Sequence, residues 1–378
     1  MHLEAKIEEM VRNLLERGVI RSCKSAWNSP LVIVGKKDGS IRMRVVYRRL
    51  NAITEKFSFP MPDIHLLLDC LAGAKYFSSI DIGQAYYQVE LDQNSQDCTA
   101  FSTKTGQYCF NRLPFGLATA PATFQKLMHK LLDGLLFRGV VVYLDDVLIY
   151  GKTRKEHDSL LEDVFQRIKE SGLKINPEKC AFLKDEIRFL GHTISSKGIH
   201  TNPMKIEQIR DAQAPECTSK LRSFLGLTNY YRRFIRGYAT IAAPLYAAIS
   251  GGEKKLQWTE ACQTSFLRLK NALCEAPVLD YPREDRTFIL DTDASFEAIG
   301  AVLSQLTEQG METVVAYGSR VLTSHEKGYC VTRKELLALH EYVVYFKQYL
   351  YGKKFIARTD HKALIYLSSN QRPISSQS

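Results

Sequence analysis

The chain has 378 residues, too many for one ordinary domain and enough for two or three. Hydrophobic residues make up 45% and charged residues 24%, which excludes a largely disordered chain. The 51 Lys and Arg against 41 Asp and Glu leave a formal charge of +10, a surplus that suits a polyanionic partner without requiring one.

In chain order, Ile7, Met10, Val11, Leu14 and Leu15 share one helical face, and Gly18 follows as a C-cap. Leu31 to Val34 reads as a strand, residues 35–40 as a turn, and Ile41 to Tyr47 as a strand alternating basic and apolar residues. This hairpin region is basic: six cations and one acid lie between Gly35 and Arg49. A helix is expected from Asp63 to about Leu71, then a strand from Tyr76 to Ile82 that contains Asp81. Pro121 opens a helix from Ala120 to Leu132. Val140 to Tyr143 and Val147 to Tyr150 flank Leu144-Asp145-Asp146, a hairpin with acids at its tip. Glu156 to Lys169 reads as a helix and Cys180 to Ile194 as a further hairpin.

From about Ser195 the texture turns helical, with helices expected over Pro203–Arg210, Ser219–Phe234 and Glu260–Leu273. Arg222, Arg232, Arg233 and Arg236 lie there with Tyr230, Tyr231 and Tyr238. Strands return near Arg286, followed by a helix from Thr332 to Tyr349 and a strand from Lys354 to Thr359. No apolar run approaches the roughly 18 to 20 residues that span a bilayer, and no secretory pattern opens the chain. A cytoplasmic protein without membrane contact is the expectation. The nine cysteines lack metal-binding spacing and read as reduced thiols.

Adjacent carboxylates repel each other, which raises a pKa unless a cation is bound. Alone, Asp145-Asp146 would read as a solvated turn. Its flanking strands are almost wholly apolar, however, and Asp81 ends another such strand. Three carboxylates on neighbouring strand ends would hold two Mg²⁺ in oxygen coordination, with Mn²⁺ as a substitute. Such a pair can activate a 3′-hydroxyl and stabilise a departing pyrophosphate. Lys36, Lys37 and Arg42 offer cations for a triphosphate. Tyr86 could fill the space of a 2′-hydroxyl, and Lys179 is available as a proton donor.

The ordered segments Phe77-Ser-Ser-Ile-Asp81, Leu113-Pro-Phe-Gly-Leu117 with Ala120-Pro-Ala-Thr-Phe-Gln125, Tyr143-Leu-Asp-Asp146 and Phe189-Leu-Gly-His192 resemble the motifs of reverse transcriptases. Leu221-Arg-Ser-Phe-Leu-Gly-Leu-Thr-Asn-Tyr-Tyr-Arg-Arg-Phe-Ile235 resembles the Gypsy-type LTR retrotransposon branch. The resemblance covers nearly the whole chain. It implies an α+β right-hand polymerase: fingers and palm over residues 1–195, a helical thumb and connection over 196–285, and a ribonuclease H-like domain over 286–378. It also implies Asp81, Asp145 and Asp146 as metal-binding catalytic acids, Lys36 and Arg42 as triphosphate contacts, and Tyr86 as the steric gate. Phe115 and Gly116 would lie against the incoming dNTP. Phe189, Leu190, Gly191 and His192 would form a primer grip. The thumb residues, Arg232 and Arg233 among them, would track the duplex backbone. The implied partners are an RNA template, a DNA primer, the RNA–DNA hybrid and dNTPs.

In the C-terminal section, alternation puts Ile289, Asp291 and Asp293 on one strand face. Glu335 falls in a helix and Asp360 ends a strand, so these carboxylates could converge on a second metal pair. Read singly, Glu335 is a surface acid and Asp360 a helix N-cap. Thr292-Asp-Ala-Ser295, Arg333-Lys-Glu-Leu-Leu337 and Arg358-Thr-Asp-His-Lys362 resemble the retrotransposon ribonuclease H domain, which selects Asp293, Glu335 and Asp360 as ligands. Two departures stand out. Val46 occupies a position where the family usually has an acid, and the domain's fourth acid is not reached by Ser378, so a truncated, impaired ribonuclease H is expected. No protease triplet or zinc cluster accompanies the polymerase motifs, which reads as a fragment of Pol. The competing reading is a decayed or repurposed product that binds nucleic acid without catalysis.

Overall fold

The computed structural model describes residues 2–35, 41–250, 256–361 and 364. Contacts divide the chain into two compact units, residues 1–187 and 188–378. Both mix helices and strands, in keeping with the α+β expectation. Among the described residues no helix is long and apolar enough to cross a membrane. All nine cysteines are free.

The first unit is built around a four-stranded antiparallel sheet in the order Val140–Tyr143, Asp146–Gly151, Tyr76–Asp81, Ala181–Lys184. Val140, Val142, Val147, Ile149 and Ile80 meet Phe124 and Met128 of the helix Ala120–Leu131 and Val164 and Ile168 of the helix Arg154–Ser171. Val141 and Leu148 are buried as well, so these strands read as unbroken apolar runs rather than alternating ones. Each such side chain contributes about 2 kcal/mol by leaving water. The helix Arg154–Ser171 is fixed at both ends: the Thr153 hydroxyl accepts from Glu156 N–H, and Gly172 closes it at φ 74°. Buried His157 then ties its first turn to the sheet, 2.8 Å from Ser78 Oγ.

Two smaller sheets complete this unit: the hairpin Leu31–Gly35 with Ile41–Val45, and the strands Ile20–Ser22, Gly106–Phe110 and Phe101–Thr103. The turn expected between the hairpin strands lies outside the described residues. The hairpin expected from Cys180 to Ile194 is not formed as such. Ala181–Lys184 instead pairs with Tyr76–Asp81, and Glu186–Phe189 turns back through Leu190-Gly191 onto His192–Ser195.

A three-stranded sheet of Glu186–Phe189, His192–Ser195 and Gly198–Thr201 comes next, with all but its first two residues in the second unit. Helices Pro203–Arg210, Thr218–Tyr230, Tyr238–Ser250 and Glu260–Cys274 follow. The expected helix to Phe234 stops at Tyr230, and Arg232–Phe234 forms a tight 3₁₀ turn. Tyr238–Ser250 was hidden in the sequence by Pro244, which forfeits a helix hydrogen bond but does not end the helix here. Ile199 bridges to Leu279, and Tyr281 donates its hydroxyl to Ser195 O at 2.9 Å. A mixed sheet comes last, in the order Glu312–Val321, Ala298–Leu306, Phe288–Ala294, Phe355–Arg358, with the last pair parallel. Phe288, Leu290, Ile299 and Leu303 bury its face against Ala338, Tyr342 and Phe346, on and just beyond the helix Val331–Tyr345.

Candidate functional site

Antiparallel register brings Asp81 opposite Asp146, and Asp146 opposite Tyr143 across the hairpin. Asp145 is in the turn and its carbonyl accepts from Ile82 N–H at 3.0 Å, which stitches the two strand ends together. The turn is tight enough to force Leu144 to φ 54°, a left-handed conformation that costs a non-glycine residue on the order of 1 kcal/mol. Fully buried Gln125 holds it there. Its Oε1 accepts from Leu144 N–H at 2.6 Å and its Nε2 donates to Val142 O at 3.2 Å.

The acids are electrostatically strained. Burial, then the charges of Asp145 and Asp81, push the Asp146 carboxyl up to about 6, against the opposing pull of Lys179. Asp146 is nevertheless exposed at the start of its strand, while Val147 to Gly151 behind it are buried. Lys179 places its ammonium 3.2 Å from Asp81 Oδ2, where it stands in for a cation. Asn176 N–H donates to Asp81 O at 2.9 Å and anchors the 3₁₀ turn Pro177–Lys179 that carries this lysine. Among the described residues no three acid, His or Cys side chains form a ready-made metal cage. Even so, the donor set fits hard divalent cations: carboxylate oxygens, mutual repulsion, and an ammonium already drawn to them.

Tyr86 lies in the 3₁₀ turn Ala85–Gln88 just past this strand. Its ring packs 4.9 Å from Phe115 and 5.9 Å from Phe124, so it is backed on two sides. Burial first, and Asp145 second, raise its hydroxyl pKa. Phe115 is exposed, and Gly116 at φ 101° passes so close to Val45 O that a Cβ would sit 3.3 Å from it. Asn51 braces this loop by donating to Gly116 O at 2.9 Å and accepting from Ala118 N–H at 2.9 Å. Lys36 lies outside the described residues, as does the Arg42 side chain, although Arg42 belongs to the strand Ile41–Val45.

The second unit gathers its own acids. Glu335 is buried, accepts from Ala294 N–H at 3.2 Å, and leaves Oε2 buried with no hydrogen-bond partner among the described residues. Its pKa is raised by burial first, with the charges of Asp360 and Asp293 adding to that. An orphaned buried carboxylate oxygen beside two further acids suits a cation. Asp291 is otherwise engaged. It faces Arg358 across the parallel pair and takes a two-pronged ion pair at 2.5 Å, while Arg358 also reaches Glu312 at 2.8 Å.

Arg232 and Arg233 already have partners within the second unit. Arg233 is buried and donates to Val315 O at 3.2 Å; Arg232 donates to Ser319 O at 2.7 Å. Both guanidinium groups satisfy carbonyls of the strand Glu312–Val321, and Arg232 is half-buried. Tyr230 donates to Leu190 O, and Tyr231 to Gly191 O at 2.5 Å, so these hydroxyls are also committed. Phe189 is buried, and Leu190 and Gly191 both have positive φ, as a two-residue hairpin turn requires. Any contact from this turn would therefore come from its backbone and Leu190, not from the Phe189 ring. Sequence reasoning missed Gln125 and the tyrosine pair as positioning residues; an uncharged Gln buried under an acidic turn gives no charge signal.

Residues 34–194 match the family described as reverse transcriptase (RNA-dependent DNA polymerase), and residues 258–357 match the RNase H-like domain found in reverse transcriptase. The chain is 39% identical over 379 residues to the Retrovirus-related Pol polyprotein from transposon 297 of Drosophila melanogaster, covering 98% of this chain and 35% of that protein. It is 34% identical to the Pol polyprotein from transposon gypsy of the same organism, covering 95% of this chain and 36% of that protein. The chain thus spans about a third of the length of these relatives. Among solved structures, a foamy viral protease-reverse transcriptase dRH in complex with double-stranded DNA superposes with TM-score 0.84 at 27% identity, covering 98% of this chain and 64% of that one. A foamy viral protease-reverse transcriptase in complex with RNA/DNA hybrid gives TM-score 0.83 at 26% identity, covering 99% and 51%.

Proposed function

The chain belongs to the reverse transcriptase and RNase H-like region of Gypsy-type retrotransposon Pol polyproteins, and we propose that it is an RNA-directed DNA polymerase. It extends a DNA primer with dNTPs along an RNA template. The observation that carries this reading is the register of Asp81 opposite Asp146, with Asp145 in the adjoining turn and Lys179 on Asp81. Two Mg²⁺, when bound by Asp81 and Asp145 with Asp146 assisting, supply activation of the primer hydroxyl and neutralisation of the departing pyrophosphate.

The chain's own residues do the rest. Tyr86, braced by Phe115 and Phe124, is a wall that a ribose 2′-hydroxyl would strike and a deoxyribose would clear. Lys179 offers a proton and a movable positive charge at the carboxylates. Lys36 and Arg42 neutralise the triphosphate. In the second unit, Asp293, Glu335 and Asp360 are the acids for hydrolysis of the RNA strand of the hybrid; the raised pKa and orphaned Oε2 of Glu335 support that role. The foamy viral structures bound to DNA and to hybrid support the same substrate class.

The test is primer extension on poly(rA)/oligo(dT) with Mg²⁺ and then Mn²⁺. Asp145→Asn should abolish extension while duplex binding persists; extension retained by that variant would overturn the assignment. Duplex binding by the unmodified chain, with no extension in either metal, would favour a binding protein without catalysis.

A further inference from the structure

The segment Tyr230-Tyr231-Arg232-Arg233 faces two ways. Its tyrosine hydroxyls donate to Leu190 O and Gly191 O, the carbonyls at the tip of the hairpin between Glu186–Phe189 and His192–Ser195. Its arginines donate to Ser319 O and Val315 O on the edge strand of the RNase H-like sheet. Neighbouring contacts reinforce both sides. The His192 ring stacks 5.8 Å from Phe234 and lies 5.2 Å from Tyr230. On the other side Ala239 N–H donates to Ser319 Oγ at 2.9 Å, and the Arg232 guanidinium lies 6.0 Å from the Tyr238 ring.

Tyr230 and Arg232 are half-buried. Tyr231 and Arg233 are buried. A hairpin with two successive left-handed residues points its tip carbonyls away from the strand ladder, so they need outside donors. An edge strand likewise has carbonyls that no neighbouring strand satisfies. Four consecutive residues supply donors to both, over a 3₁₀ turn too short to flex between them.

We infer that Tyr230 to Arg233 is a coupling clip, a set of positioning residues that fixes the Leu190-Gly191 turn to the RNase H-like sheet. The inference rests on the polymerase reading only for its purpose: the clip would hold a primer-gripping turn at constant distance from the hybrid-cleaving acids. Its mechanical content stands without that reading.

The experiment is amide hydrogen exchange on the full chain, paired with the salt dependence of duplex binding. Arg232→Gln should speed exchange at least about tenfold in residues 315–319 and, across the clip, in residues 190–192. Tyr230→Phe with Tyr231→Phe keeps the ring packing and should give the reciprocal pattern, with a raised KM for primer–template and an unchanged KM for dNTP. Arg232→Lys should restore part of the protection. The slope of log Kd against log salt should stay unchanged in Arg232→Gln, since the guanidinium releases no counterions. Faster exchange confined to the side that was mutated would overturn the coupling. A slope reduced by about one would overturn it differently, by making Arg232 a phosphate contact. An unmodified chain that extends no primer would sink the polymerase reading and leave the exchange result intact.

Discussion

Gln125 and Leu144 are joined by a 2.6 Å hydrogen bond in which a fully buried side chain accepts from the one strained amide of the acidic turn. The bond aims Asp145. Removing it would leave a buried N–H without a partner, at a cost of about 1–3 kcal/mol, and let Leu144 relax from its left-handed φ. Gln125→Leu should therefore lower the extension rate constant by about tenfold to hundredfold with little change in duplex affinity, because small misplacements of reacting groups carry large penalties. Leu144→Gly, which removes the strain, should restore part of that rate in the double variant. Single-turnover extension checks both, and an unaltered rate in Gln125→Leu would rule out the positioning role.

Tyr86 is backed by two aromatic rings, which is what the proposed exclusion of a 2′-hydroxyl needs. Tyr86→Ala should raise the ratio of rNTP to dNTP incorporation by an order of magnitude or more, read from the length of products made with each substrate. An unchanged ratio would remove the steric-gate role.

Asp291 and Asp293 are two residues apart on one strand and differ in company. Asp291 is paired with Arg358, an exposed ion pair that contributes no more than about 1 kcal/mol. Asp291→Asn should cost at most that in chemical denaturation and retain cleavage of a labelled RNA–DNA hybrid. Asp293→Asn should abolish cleavage with no loss of stability, since it removes a charge that repels Glu335. The reverse pattern would exchange their roles.

The short helix Ser324–Lys327, just past the edge strand of the RNase H-like sheet, carries a carboxylate that links stability to acid. Glu326 closes a capping box with Thr323 and meets Arg320 at 2.9 Å. Arg320 first, and the Thr323 N–H second, hold the Glu326 carboxyl down to about 2, below its ordinary value of 4.5. The folded pKa lies below the unfolded one, so the stabilisation is complete above about 4.5 and is lost as pH falls toward about 2. Denaturation between those pH values should show a stability slope that Glu326→Gln flattens. An equal slope in both proteins would show that Glu326 does not carry the linkage.

Much of the acidic centre in the first unit was legible because strand ends are legible. Val140 to Tyr143 and Val147 to Tyr150 are apolar runs flanking acids. Tyr76 to Ile80, with buried Phe77 and Ile80 and two serines, is a strand that ends in an acid. Strands buried on both faces leave mainly their ends for chemistry. The partners of those ends were harder to read. Lys179 comes from a turn distant in sequence, and its contact with Asp81 depends on Ala181–Lys184 joining the sheet, where a local hairpin was expected. The carbonyl acceptors of Arg232 and Arg233 were not legible: charge shows that a guanidinium needs acceptors, and carbonyls of an edge strand serve as well as phosphates. Alternation alone left Asp291 and Asp293 equivalent and the family resemblance separated them; the parallel register adds Arg358 opposite Asp291.

The bridge from Ile199 to Leu279 closes the helices between them into a loop whose two ends meet. Gly198, at φ 139°, is part of that seam: a Cβ there would fall 2.3 Å from Leu279 O. Residues 200–278 therefore leave and return at one point, like a detour on a road that continues straight. Changes of length at the exposed turn near Asp211 and Gln213 need not alter the spacing of the segments that flank the loop. A lineage could vary the length of that one turn while handing the same frame, with the same spacing, to its descendants.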